Sequence, residues 1–304
     1  MEFRHPLIII VGLRRSGTTA FWEAFRRDDS LCCYDEPFNP NLAELPKENS
    51  KGTRAEFIDL FENDAGLFNN FFSPISLLEE SSADITRFQS DYLAWLLNQN
   101  QGKSAVVADS VRIGFKLEKI YEIIPRAILV HLYRNPVAWI SSHLLPSGRG
   151  TWRKKIADIY MHLYFWTRKG FYNNWGYQEI VEQEISNTSY WESIDTLAED
   201  LKNKPAFFQL ALFWHWAFRE TERFGNEFWG DRFFSIPFES FCLDPEKVIS
   251  DIYTVAELKW KNLDYSYVRA ANQGFKPDSK RWQYVNDILL EEKVNIYTEN
   301  RIKV

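Results

Sequence analysis

The sequence predicts an α/β fold: a single domain, residues 1–304, around a central parallel sheet flanked by helices. Three observations carry that expectation. Short apolar runs alternate along the chain with stretches of helical periodicity. The first run breaks at a glycine turn that re-enters at once as a helix. A later run, Ile128–Tyr133, passes through Arg134-Asn135 into a proline that opens a helix at its favoured first position.

The elements follow in order. Leu7–Val11 (LIIIV) is apolar throughout, as a strand covered on both faces should be. Thr18–Arg27 is the helix after it, and Leu31–Tyr34 the second strand. Cys32 and Cys33 alternate faces there. With only three cysteines at irregular spacing, two reduced, buried thiols are expected rather than a disulfide framework or metal site. Thr86–Gln99 reads as a helix ending near Gly102, Ala105–Ala108 as a strand, and Lys116–Ile124 as a helix. Ile128–Tyr133 and Pro136–Leu145 repeat the strand–helix step. Pro205–Phe224 and Pro245–Glu257 are late helices, with the strand Phe233–Ile236 between them.

Between Leu144 and Lys204 no convincing strand occurs. This interval opens with the basic "SGRGTWRKK" and then turns acidic, with no Lys or Arg from Phe171 to Asp200. It reads as a helical insertion over the ligand edge of the sheet, or as a solvated helical pair with buried tryptophans. The acidic run from Glu179 to Asp200 would suit a cationic small-molecule acceptor.

Composition narrows the function. At a formal charge of −6, general nucleic-acid binding is disfavoured, so an anion site must be a local concentration of Arg and Lys. Aromatic residues make up 16%, 12 of them Trp, and belong mainly in the core, with a partly aromatic cleft as the second reading. The five histidines lack ligand-like spacing, and no metal is expected. The first strand begins too early for a signal peptide, and no apolar run approaches the ~18 residues of a membrane span. A cytoplasmic protein without membrane or nucleic-acid partners is expected.

The segment Gly12-Leu-Arg-Arg-Ser-Gly17-Thr18-Thr19 has the outline of a nucleotide phosphate loop, but Thr18 stands where a lysine would follow the second glycine. Backbone N–H groups and the helix dipole converge on one point there. Ser16, Thr18 and Thr19 add hydroxyls, and Arg14 and Arg15 add full charge capable of bidentate bonds to an oxyanion. An ATP-dependent kinase would need magnesium near Thr18 or Asp109, the residue after "AVVA". The missing lysine argues against it. In "ILVHLYRNPVAWISS", Arg134 ends a strand and Ser142 lies about two helical turns along, a pair able to grip a second phosphate.

Together "RRSGTT" and "RNPVAWISS" resemble the two cofactor motifs of sulfotransferases that use 3′-phosphoadenosine-5′-phosphosulfate (PAPS). "SIPFESFCLDPEKVISDIY" is similar to the family's late strand, aromatic-Glu turn (Phe238-Glu239-Ser-Phe241) and Pro-led helix. "PDSKRWQ" resembles its C-terminal Ser/Lys/Arg-Trp element. Residues 40–100 and 144–204 are not covered. The resemblance implies metal-independent, in-line transfer of a sulfuryl group to a hydroxyl or amine, with PAP released. It assigns Arg15, Ser16, Gly17, Thr18 and Thr19 to the 5′ end of the donor, with Arg15 at the bridging oxygen. Arg134 and Ser142 go to the 3′-phosphate, assisted by Ser279, Lys280 and Arg281.

The acceptor's proton needs a base. Glu36, in "CCYDEPFNP" after the second strand, matches the glutamate type of several carbohydrate and tyrosine sulfotransferases. Asp35 and His143 are alternatives, and the acids could instead merely neutralise Arg14 or Arg26. Lys116 is expected either near the leaving phosphate or solvated on a helix face. His131 and His215 read as structural. The glutamate-type base leans toward a carbohydrate or polar small-molecule acceptor. A non-catalytic member that senses PAP is a further reading, which Glu36→Ala would separate.

Overall fold

The computed structural model describes residues 3–45, 52–144, 164, 167, 169–170, 178–181 and 204–268. Most of the interval 144–204 and all of Ser279, Lys280 and Arg281 lie outside the described residues. The chain divides into two compact units, Met1–Arg134 with Glu220–Gln273, and Asn135–Arg219 with Gly274–Val304.

The first unit holds a five-stranded, wholly parallel sheet: β1 (Leu7–Val11), β2 (Leu31–Asp35), β3 (Ala105–Ser110), β4 (Ile128–Tyr133) and β5 (Phe233–Pro237), in the order β2-β3-β1-β4-β5. Two strands match the expectation outright, since β1 and β4 have the bounds their apolar runs suggest. β2 and β3 continue past their apolar runs, because Asp35 and Asp109 remain paired in the ladder. The chain builds leftward from β1 to β2 and β3, then crosses to β4 and β5. The crevice outside the carboxyl ends of β1 and β4 is therefore the topological switch point, where such sheets bind ligands.

Alternation along β1 serves two cores. Leu7, Ile9 and Val11 face α2 (Ala55–Asn63), α3 (Ala65–Phe71), α4 (Arg87–Leu97) and α5 (Leu117–Ile123). Ile8 and Ile10 face α1 (Thr18–Arg26) and the late helices described below. At about 1.5–3 kcal/mol for each fully buried aliphatic side chain, this short strand anchors both layers. Cys32 and Cys33 split between the same two cores and are free thiols, as expected.

α2 and α3 fall in a stretch whose pattern gave no clear helix. They pack through aromatic rings, with Phe71 stacked on Trp95 of α4 at 5.1 Å. α4 begins in a capping box. Thr86 Oγ1 accepts from Gln89 N–H (3.2 Å), and Gln89 Oε1 accepts from Thr86 N–H (2.9 Å).

In the second unit, α6 (Pro136–Leu144) starts as expected at Pro136, and Asn135 Oδ1 accepts from the Val137 N–H at 3.0 Å. α7 (Ala206–Phe224) begins in this unit and its last turn belongs to the first. Residues 238–241, read as a turn, instead open a helix, α8 (Phe238–Leu243), followed by α9 (Pro245–Val255). Phe241 of α8 meets Phe21 of α1 edge-on at 4.9 Å, and Tyr253 of α9 stacks on Phe25 at 6.0 Å. Beyond α9, Lys261 bridges Asp28 (2.6 Å) and Asp29 (2.7 Å), while Tyr267 donates to the Ala20 carbonyl (2.9 Å), strapping this segment across α1. No described helix is long and apolar enough to cross a membrane.

Candidate active site

The loop after β1 is shaped by two close approaches. A Cβ at Gly12 would run into the Leu132 carbonyl of β4, so the loop can leave the sheet there only as glycine. Gly17 has φ +97° and faces the Phe238 ring. Arg15 also adopts a left-handed φ of 72°, uncommon for a residue with a side chain. Between them the Ser16 N–H bonds Leu13 O at 3.0 Å, folding the loop into a tight turn.

α1 then starts at Thr18 with no side-chain cap and no acidic residue in its first turn. Its positive end is thus left for an anion. Ser16 and Thr18 are buried beneath the loop, whereas Arg15 and Thr19 are exposed.

Arg134 arrives from the end of β4, the neighbour of β1. Its Nη1 donates to the Arg15 carbonyl at 3.4 Å, and its guanidinium centre lies 5.9 Å from the Phe238 ring centroid. Burial lowers its pKa, opposed by the charge of Glu239. The two arginine positions singled out from separate motifs, 15 and 134, therefore meet at the switch point. Ser142 belongs to the second unit, where its Oγ donates to the Trp139 carbonyl at 2.6 Å.

Glu36 stands just past β2 in a left-handed conformation, φ 51°. Its N–H bonds Asp109 O at 2.9 Å, and its Oε1 accepts from the Val111 N–H at 3.0 Å. Its Oε2 faces Arg112 Nε at 3.8 Å, too far for a hydrogen bond. Burial pushes Glu36 up to about 7, opposed by the Val111 N–H and the Arg112 charge. Asp35 and Asp109 lie side by side in the ladder, and burial raises Asp109 well above the carboxylate range, reinforced by its two acidic neighbours. Asp35 Oδ1, Glu36 Oε2, Asp109 Oδ2 and Arg112 Nε are all buried without a hydrogen-bond partner. Four such polar atoms therefore cluster at the carboxyl ends of the adjacent strands β2 and β3.

Arg14 and Arg26 form ion pairs with carboxylates other than those of the "DEP" turn, although the Arg14 charge still acts on Glu36. The carboxylate paired with Arg26 is Glu56 (2.9 Å), and the one paired with Arg14 is Glu80. Lys116 is neither solvated nor extended toward a phosphate. It is buried, and its Nζ donates to the carbonyls of Glu79 (2.6 Å), Ser82 (2.6 Å) and Asp84 (2.8 Å), with desolvation lowering its pKa to about 8. His143 is buried against Trp139, with ring centroids 4.6 Å apart. His131 Nδ1 pairs with Glu222 at 2.8 Å, and burial drives His215 down to about 4.

Two residues of this region are absent from the sequence reading. Arg112 follows β3 at its carboxyl end, so the strand-end rule could have flagged it. Glu80 sits in a polar connection, "LLEESSAD", that carries no local signal.

The sequence model of the sulfotransferase family matches residues 6–180. No curated protein matches the sequence. Among solved structures, a sulfotransferase from Alicyclobacillus acidocaldarius is similar at 17% identity, covering 96% of this chain and 93% of that one, with a TM-score of 0.43. The sulfotransferase domain of the Synechococcus PCC 7002 olefin synthase aligns at 13% identity, over 95% of both chains, with a TM-score of 0.48. A Mycobacterium avium sulfotransferase aligns at 14% identity over 96% and 76%, with a TM-score of 0.45.

Proposed function

The chain belongs to the sulfotransferase family, and from that premise we propose that it moves the sulfuryl group of PAPS to a hydroxyl or amine of a carbohydrate or polar small molecule, releasing PAP. The observation that carries this reading is the contact of Arg134 with the phosphate loop at the Arg15 carbonyl, beside the uncapped start of α1. A lysine-free loop with arginine on both sides fits a donor that is anionic at two places.

In this reading the N–H groups of Gly17, Thr18 and Thr19 and the hydroxyls of Ser16, Thr18 and Thr19 hold the 5′ end. Arg14, paired with Glu80, adds positive potential behind them. Arg15 stabilises charge on the bridging oxygen as its bond to sulfur breaks. Arg134 holds the 3′-phosphate. Ser142, Ser279, Lys280 and Arg281 enter from the sequence motifs alone. The donor supplies a sulfuryl group already activated by its phosphate leaving group, and the reading requires no metal.

Glu36 takes the proton of the acceptor hydroxyl at its partnerless Oε2 as the new bond to sulfur forms. A base near 7 is matched to neutral pH, where about half of it is ionised and that half is basic enough to accept the proton. The rival use of Asp109 as a magnesium ligand suits the site poorly. That side chain is fully buried, and its environment favours the protonated carboxyl.

Thermal stabilisation by PAP, and by ATP with and without magnesium, tests the donor. A ligand at ~100 times its dissociation constant adds about 2.7 kcal/mol. The expected result is a shift with PAP that a chelator leaves unchanged and Arg134→Ala removes. A shift only with magnesium-ATP would replace this reading with the kinase. Transfer of labelled sulfate from PAPS to a panel of sugars and polar alcohols, lost in Glu36→Gln, then tests the chemistry. Retained transfer would remove Glu36 as the base.

A further inference from the structure

Glu80 connects the phosphate loop to Glu36, although it lies on neither strand end. It is buried, at 3% exposure, and its carboxylate takes two guanidinium groups. Arg14 binds it through both Nη1 and Nη2, and Arg112 through Nη1. Arg112 in turn presents Nε to Glu36 Oε2 at 3.8 Å.

The segment carrying Glu80 is fixed from below. Lys116 holds three of its carbonyls, Arg112 donates to Ile75 O at 3.2 Å, and the Ile75 N–H bonds Phe38 O at 3.1 Å. A buried carboxylate between two arginines is seldom the most stabilising filling for such a space, because desolvation offsets the attraction. Its placement here has a different consequence, in that one anion is shared between the cation of the loop and the cation beside the carboxylate.

We propose that Glu80 is a positioning residue for Glu36 that acts through Arg112, fixing the guanidinium beside that carboxylate while drawing part of its charge away. The inference rests on the reading of Glu36 as the base. By sharing Arg112, Glu80 keeps Glu36 from being locked as a strongly paired, weakly basic carboxylate. The other charged groups facing Glu36 are Asp35, Asp109 and Arg14. Asp35 and Asp109 keep their surroundings in the test, whereas Arg14 loses its Glu80 partner in both Arg112 backgrounds alike.

Carbon-13 NMR of protein labelled at the glutamate δ-carbon reads the Glu36 titration directly, without donor or acceptor. The resonance is assigned by its absence in Glu36→Gln. Arg112→Gln removes a nearby cation and should raise the midpoint by about one unit or more. Glu80→Gln keeps the shape, frees Arg112 for Glu36, and should lower the midpoint. In the Arg112→Gln background, Glu80→Gln should lose most of its effect, keeping only the part that the freed Arg14 carries. That loss of effect separates action through Arg112 from direct repulsion or a general loosening.

Should Glu80→Gln fail to fold, Glu80→Asp keeps the charge on a shorter arm that cannot span both arginines. It should lower the midpoint in the same background-dependent way. A midpoint unmoved by the Glu80 substitutions, or moved equally in both backgrounds, overturns the inference. Sulfate transfer retained by Glu36→Gln would overturn the base assignment instead and leave the titration result standing.

Discussion

The Phe238 ring fills the space beside Gly17 that a side chain there would need, since an added Cβ would lie 2.8 Å from the ring's Cζ. Through this contact the helix after β5 sets the shape of the loop after β1. Gly17→Ala combines a left-handed backbone with overpacking and should cost about 2–4 kcal/mol of stability in urea unfolding. In a Phe238→Leu background the overlap is relieved, and the same substitution should cost less, leaving mainly the backbone strain. An equal cost in both backgrounds would show that the ring is not what Gly17 avoids.

With Glu36 as the proposed base, its raised pKa should couple catalysis and stability in opposite senses. Activity needs the ionised form, so kcat/KM should fall about tenfold per pH unit below about 7, and that limb should vanish with Glu36→Gln. Stability runs the other way. Between about pH 4.5 and 7 the folded state holds a proton that the unfolded chain releases. This group's contribution is therefore present at low pH and lost as pH rises through about 7. Glu36→Gln should accordingly gain stability relative to the native protein at pH 8 compared with pH 5, by up to about 3 kcal/mol. A difference that is flat with pH would show that the carboxyl titrates normally.

Lys116 ties together three backbone carbonyls of one segment, those of Glu79, Ser82 and Asp84. Lys116→Met fills the volume and strands those oxygens. About 3 kcal/mol or more should be lost, together with hydrogen-exchange protection across residues 79–84. Retained protection there would mean that other contacts hold the segment.

Arg134→Ala should weaken PAP binding by about 2–4 kcal/mol, some 30- to 1,000-fold, as a charged partner of phosphate is removed. Arg134→Lys keeps the charge but loses the planar fork, and should recover only part of the affinity. Calorimetry reads both, and a full recovery would mean that charge alone matters at this position.

Where one face or one turn decides the structure, the sequence was informative. β1 is legible to the residue because it is apolar from end to end, and β4 because only His131 interrupts its apolar run before Arg134. The placement of the loop, Glu36 and Arg134 at strand ends is legible because glycine, proline and arginine mark such ends. The apolar pattern stops short of the ends of β2 and β3 because an acidic residue carries no local sign of a buried ladder position. The pairing of Asp35 with Asp109 was hidden for that reason. Glu80 was invisible for another. Its meaning depends on Arg14 and Arg112, 66 and 32 positions away, and no local pattern encodes such a meeting. Lys116 was misread because a lysine on a helix edge is normally solvated.

The strand order also bears on how the chain is made. β1 lies at the centre of the sheet, yet its two neighbours, β3 and β4, emerge from the ribosome about a hundred residues or more behind it. Until then LIIIV has two open edges and no polar side chain to discourage pairing with another chain. Nascent chains stalled before β3 should therefore be sticky clients of chaperones, and fragments ending near residue 100 should aggregate rather than fold. Among the described strands, β1 is thus made before the others and waits longest for cover.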